Sequence, residues 1–279
     1  MLVVLGGARL VAADDVAART AAIKKLMAAQ ADALVLQYSD FGEALNKTLA
    51  PDAYSNVATG LVGAVAVDIG QTKIGWSKTC GWVSAEAQFE PRIHPEMMQQ
   101  APPGKDPVEV HLPSQMRHWM ALVVADGDSV KAKAMRVVYT TSDKVLGTQT
   151  FDYIATLPVV KSPPPHVAWL AQPAAAAKEL SADPSTTVFG TSKNDHAFGQ
   201  AAGKKLLASW AKLNLELVMT EHDDDHGEVI VGDCAAAYGT VRMKVGKKFI
   251  LLDGFAITHK VGDRWELVAY ELAPTNIDL

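Results

Sequence analysis

The chain is poor in cysteine. Its 279 residues hold only Cys80 and Cys234, which excludes a scaffold stapled by several disulfides. Two cysteines alone also cannot complete a structural zinc site. Basic charge is not in excess: 26 Lys and Arg stand against 31 Asp and Glu, a net charge of −5. That balance lacks the basic footprint of a nucleic-acid partner. No apolar run reaches the roughly 18 residues that would span a bilayer. What the chain does have is apolar content, 49%, and a length that predicts about two domains.

The N-terminus is ambiguous. Met1 to Ala13 is apolar and ends in small residues before Asp14 and Asp15, as the last part of a secretory signal does. A basic n-region is missing, however, and Arg9 interrupts the run. The chain is therefore cytoplasmic or, if this is a truncated signal, exported. Asp14 or Asp15 can cap a helix, and Val16, Ile23, Leu26 and Met27 recur at helical spacing. A second helix is expected over Asp32–Leu49, ending at Pro51. Strands are expected over Gly63–Asp68, Lys73–Ser77, Gly81–Glu90, Arg117–Val124 and Val130–Thr140, and Leu146–Leu157 adds another. Pro91–Pro113 reads as a long connection.

Lys161-Ser-Pro-Pro-Pro-His166 is the clearest boundary, because consecutive prolines favour extended polyproline geometry. Beyond it lie helices over Ala174–Leu180 and Gly199–Leu213, the latter with Leu206, Leu207, Trp210 and Leu213 on one face. The end of the chain is a meander of three strands joined by Gly-Lys-Lys and Val-Gly-Asp turns. The two halves share a pattern: Cys80–Glu90 can be laid on Cys234–Lys244, and Ala125-Asp-Gly-Asp128 then falls on Val261-Gly-Asp263. A rival register sets Gly127-Asp-Ser129 on Gly232-Asp-Cys234 and Phe151 on Phe255.

Thr187-Val-Phe-Gly-Thr-Ser192, His196-Ala-Phe-Gly-Gln200, a helix ending in Ser209-Trp-Ala-Lys-Leu and the closing Gly262-Asp-Arg-Trp hairpin together resemble a SnoaL-like domain of the nuclear-transport-factor-2-like superfamily. The first half resembles it through Ile74-Gly-Trp-Ser, Gly81-Trp-Val-Ser-Ala-Glu and Met116-Arg. The resemblance implies an α+β fold of two cone-shaped domains, each a curved antiparallel sheet wrapped around helices. Their expected limits are 14–158 and 173–279, joined by a Pro-rich linker over 159–172. It also implies a pocket in each cone and sheets packed back to back as an intramolecular pseudo-dimer. Dimerisation through exposed sheet faces is the other arrangement.

Function is less legible. Asp253, Phe255, Ile257 and His259 share one face of a strand. An acid or imidazole among apolar residues shifts its pKa toward proton-transfer use, and related isomerases and cyclases place an acid in the cone. Asp253 and His259 are thus the candidate catalytic pair, although both can equally be solvated near strand ends. Trp76, Trp82, Trp210, Tyr238 and Phe255 are candidate pocket walls, with core packing the competing role.

His222-Asp-Asp-Asp-His226 carries metal-ligand types but reads as a solvated acidic loop, so no metal is expected. Gly199-Gln-Ala-Ala-Gly-Lys204 has one residue too few for a phosphate loop, and Lys205 replaces the magnesium-binding hydroxyl. No nucleotide cofactor is expected. Cys80 and Cys234 are expected as two unpaired, partly buried thiols. Asn46-Lys-Thr48 fits a glycosylation sequon. The expected role is binding of a small apolar or amphipathic molecule, or service as an interaction module. The alternatives are an isomerase-, cyclase- or dehydratase-type enzyme and a structural pseudo-dimer scaffold.

Overall fold

The structure, a computed structural model, describes residues 13–36, 38–57, 62–93, 110–111, 113–140, 150–220 and 226–274. The signal-like start and the acidic run up to Asp225 lie outside the described residues. The first half opens with helices α1 (Ala13–Val35) and α2 (Tyr38–Asn46). Six strands follow: β1 (Leu49–Val57), β2 (Val62–Trp76), β3 (Cys80–Ile93), β4 (Val110–His111), β5 (Gln115–Asp126) and β6 (Ser129–Tyr139). They form one sheet in the order β1-β6-β5-β3-β2, with β4 paired to β3. β1 runs parallel to β6.

The second half holds short helices α3 (Pro165–Ala168) and α4 (Pro173–Glu179), then β7 (Thr187–Phe189), β8 (His196–Phe198) and helix α5 (Gln200–Trp210). Strands β9 (Leu215–Leu217), β10 (His226–Val231), β11 (Cys234–Val245), β12 (Lys248–Val261) and β13 (Arg264–Pro274) complete it. Their sheet runs β10-β11-β12-β13-β7-β8, with β9 paired to β11 and β7 parallel to β13. Read from the other edge, β7-β13-β12-β11-β10 has the order and polarity of β1-β6-β5-β3-β2.

Tight turns set these registers. Gly127, Gly232, Gly246 and Gly262 each hold φ between 57° and 63° at the first position of a two-residue hairpin loop. The residue after each glycine keeps negative φ, which is the type II′ arrangement. The β5–β6 and β12–β13 hairpins also share a register shift, at Leu122/Val123 and at Ile257/Thr258. Both shifts stand equally far before the turn glycine.

Alternation along the strands creates three packed layers. One face of the first sheet buries Val83, Ala85, Phe89, Trp119 and Val123 against Ile23, Met27 and Leu34 of α1. One face of the second buries Leu252, Ala256 and Tyr270 against Val167, Leu170, Leu180 and Leu207. The remaining faces meet each other. Trp82, Met120, Leu122 and Ala134 of the first sheet pack with Ala236, Phe255, Ile257 and Ala269 of the second. Each large apolar side chain buried there contributes about 1.5–3 kcal/mol.

Several sequence expectations change. Gly63–Asp68 and Lys73–Ser77 are one strand, β2, continued through irregular pairing at Ile69/Thr72. The helix expected over Asp32–Leu49 is the end of α1 followed by α2, and Pro51 lies inside β1, an edge strand that tolerates a missing N–H. Within Leu146–Leu157 the described part is a 3₁₀ turn over Asp152–Thr156, not a strand. Ile154 there packs on Val218 and Leu251, so the chain already borders the second sheet by Asp152. The 159–172 segment is likewise built in: Val167 and Leu170 are fully buried.

Cys80 and Cys234 are not free thiols. They form a disulfide across the two sheets, with Cα atoms 6.3 Å apart. The hairpin geometry brings both cysteines to the first position of their strands on the facing sides, which spacing in the sequence could not reveal.

Candidate functional site

A crevice of about 800 Å³ opens where the start of α1 meets the turns of both sheets. Its walls come from Arg19 on α1, Trp76 at the end of β2, the Ser77–Thr79 turn, the Gly232–Asp233 turn and the β12 end from His259 to Val261. Arg19 lies 5.5 Å from the centroid of the Trp76 ring and is held by Asp15 at 2.7 Å. Arg19, Lys78 and Lys260 give the crevice three cations. Among its lining residues Asp233 is the single acid, in a chain whose net charge is −5.

Asp233 is tied down. Ser77 Oγ donates to its Oδ1 at 2.6 Å, Thr79 Oγ1 donates to the same oxygen, and the Asp233 backbone N–H donates to Thr79 Oγ1 at 3.0 Å. Burial works to raise the Asp233 pKa, but the hydroxyl and backbone hydrogen bonds outweigh it, and the net pKa lies below the ordinary value. The disulfide lies directly beneath: Cys80 Sγ is 3.3 Å from Asp233 Oδ1 and 2.9 Å from Ser77 Oγ.

His259 forms the crevice's inner edge, 4.9 Å from Trp82 between ring centroids. Burial pushes its pKa below 6.5 despite the opposing pull of Asp183, Glu266 and Asp233. Its Nε2 is buried with no hydrogen-bond partner among the described residues. A second cavity of about 680 Å³ lies further along α1, where Met27, Ile69 and Ile74 supply apolar surface beside Lys24 and Lys73.

The residues singled out in the sequence fall in different places. Trp76 and His259 line the crevice. Trp82 and Phe255 are fully buried between the sheets, and Trp82 Nε1 donates to Ser185 Oγ at 2.8 Å. Tyr238 joins that layer, stacked on Tyr54 with centroids 3.7 Å apart. Trp210 packs on the other side of the second sheet, 6.2 Å from Tyr270.

Asp253 shares the inter-sheet face with Phe255, where its Oδ2 is 3.4 Å from Arg136 Nη2. Six residues of strand separate Asp253 from His259, roughly 20 Å, so the structure does not bring them together as one proton-transfer pair. Sequence reading missed Arg19, Ser77, Thr79 and Asp233. The signal was there in Ser77-Lys-Thr-Cys80 and Gly232-Asp-Cys234, where hydroxyls and an acid directly precede both cysteines.

No protein-family model matches this chain, and no curated protein matches it. Solved structures similar to parts of it include NTF2-like proteins. One is an NTF2-like protein with a cystatin-like fold from Novosphingobium aromaticivorans, 14% identical over 39% of this chain and 78% of that one, with a TM-score of 0.29. Another is an NTF2-like protein of unknown function from Pseudomonas putida, 13% identical over 35% and 68%, TM-score 0.29. A third is the Mtr2–Mex67 M domain complex of C. albicans, 10% identical over 44% and 97%, TM-score 0.33. The fold is α+β with mixed sheets. No helix among the described residues is long and apolar enough to cross a membrane.

Proposed function

We propose that this chain is a tandem NTF2-like binding protein that holds one small amphipathic anion in the crevice between Arg19, Trp76 and Lys260. Two domains, drawn in the sequence as 14–158 and 173–279, pack back to back as an intramolecular pseudo-dimer. The matching strand order, the matching hairpin irregularities and the inter-sheet apolar layer support this reading. The observation that carries the ligand assignment is the crevice itself: an aromatic wall, Lys78 and Lys260 beside an Arg19 that is paired with Asp15, and one lining acid whose carboxylate is held by two hydroxyls. An apolar body would cover Trp76 and Val16, and its carboxylate or sulfonate would meet Arg19, Lys78 and Lys260.

Asp253 then serves as part of the clasp between the sheets and His259 as a wall of the crevice. Titration calorimetry with aryl carboxylates and aryl sulfonates tests the assignment. One site per chain is expected, weakened at least tenfold in a Lys78→Glu/Lys260→Glu variant, about 1.4 kcal/mol or more. Unchanged binding in that variant, or no binding by any member of the series, refutes it.

A further inference from the structure

The cluster beneath the crevice holds more than a cross-link. Cys80 Sγ, Cys234 Sγ and a carboxylate oxygen of Asp233 all lie within 4.8 Å of one another. Among the described residues this is the one group of three such side chains so placed. A fourth candidate borders it, although its ring nitrogens stand outside that 4.8 Å group. His259 pairs directly across from Cys234 in the β11–β12 ladder. Directly opposed residues point to the same face with Cβ atoms about 4.5–5.5 Å apart. Its Nε2 is buried and has no hydrogen-bond partner among the described residues, so no hydrogen bond at that atom holds the ring in its present orientation.

We propose that the reduced chain carries a zinc site in which Cys80, Cys234, Asp233 and His259 are the ligands, and that the disulfide is the oxidised, metal-free form of the same site. Two thiolates, a carboxylate and an imidazole are a donor set suited to tetrahedral Zn²⁺. Ser77 and Thr79 already hold the Asp233 carboxylate in place, as hydrogen-bonded outer residues do around zinc ligands. The crevice gives the ion its route from solvent, since Asp233 and His259 both line it. The chemistry balances. A dithiol reductant transfers two electrons and two protons to the Cys80–Cys234 bridge, which becomes two thiols while the reductant closes its own disulfide. Zn²⁺ then displaces both thiol protons to solvent. Two Zn–S bonds of about 2.3 Å separate the sulfurs by roughly 3.8 Å. With the Cα atoms 6.3 Å apart, ligation calls for rotation of both cysteine side chains and a turn of the His259 ring toward the ion.

The test uses the full chain in both redox states. Zinc chloride is titrated calorimetrically into oxidised protein and into protein reduced by a phosphine under argon. Cobalt(II) is the optical probe for thiolate ligation. The reduced wild type is expected to take up one equivalent at least a hundredfold tighter than the oxidised form and to show thiolate-to-cobalt absorption. Asp233→Asn and His259→Ala are each expected to weaken uptake by about tenfold or more, and Cys80→Ser/Cys234→Ser to abolish it. Near-UV circular dichroism follows the fold throughout. The proposal is overturned if reduced and oxidised chains bind zinc alike, or if either Asp233→Asn or His259→Ala binds as the wild type does. Uptake by a reduced chain that has lost its near-UV signal and does not regain it with zinc overturns it as well.

Discussion

His118 and Glu271 form a buried contact, Nδ1 to Oε1 at 3.2 Å, that Arg136 and Asp253 repeat with the halves exchanged. His118 stands as far before the turn glycine Gly127 as Asp253 stands before Gly262, and Arg136 as far after Gly127 as Glu271 after Gly262. The two contacts therefore join corresponding strand positions across the inter-sheet face, and Arg136 Nε also lies 3.6 Å from Glu271 Oε2. An interface between like surfaces pairs position i with j and j with i, and this quartet has that form within one chain.

The quartet makes Arg136 indispensable to stability. It is fully buried, and the carboxylates of Asp253 and Glu271 lie beside it. Arg136→Met removes the cation that both carboxylates face, which should destabilise the fold by about 3–5 kcal/mol in urea unfolding. Adding Glu271→Leu and Asp253→Leu to that variant should recover part of the loss, because the two carboxylates that faced the cation are then gone as well. A triple variant less stable than Arg136→Met would refute this account.

The disulfide closes a long loop, since 154 residues separate its ends. Replacing Cys80 and Cys234 by Ser should lower stability by about 2–5 kcal/mol. In zinc-free buffer, reduction of the wild type should produce the same loss. Equal denaturation midpoints for oxidised and reduced wild type would exclude a stabilising bridge.

Two groups beside the crevice set the acid side of the stability profile, in separate windows. The folded His259 pKa lies below its ordinary 6.5, so the unfolded chain binds more protons as pH falls past that value, and stability drops until the folded pKa is passed. Asp233 behaves alike below its ordinary 3.8, because its folded pKa is also depressed. Stability from His259 is thus present above about pH 6.5 and lost below it, and stability from Asp233 is lost only in stronger acid. In a series of urea titrations against pH, His259→Gln should flatten the first fall and leave the second, whereas Asp233→Asn should do the reverse.

Gly75 is required by close approach. A Cβ there would strike the Trp82 ring and the Ser185 hydroxyl. Gly75→Val should cost about 1–3 kcal/mol through overpacking. Ser185→Ala should cost about 1 kcal/mol by leaving Trp82 Nε1 without its acceptor. Tryptophan fluorescence alongside thermal melting would register both; a melting temperature unchanged in Gly75→Val would contradict the observed packing.

The chain's own letters determined the local structure. Glycine at the Gly127, Gly246 and Gly262 turns specified hairpins, because positive φ there carries no steric cost without a Cβ. Alternation along Gly81–Glu90 and Arg117–Val124 specified strands with two distinct faces. The strand order that the two sheets share left a linear trace in the turn glycines Gly127 and Gly262. Back-to-back sheets were an expectation of the resemblance, but which face of each strand would meet the other sheet was not readable. Asp253, Phe255 and Trp82 read equally well as pocket lining or as packing, because alternation says only that two residues share a face. The tertiary structure alone decided that the face carrying Asp253 and Phe255 is the one that meets the other sheet, that Cys80 reaches Cys234 across 154 positions, and that Arg19, Trp76 and Asp233 converge on one crevice. Burial and charge pairing between distant segments are properties of packing, and they become visible only when both partners are in place.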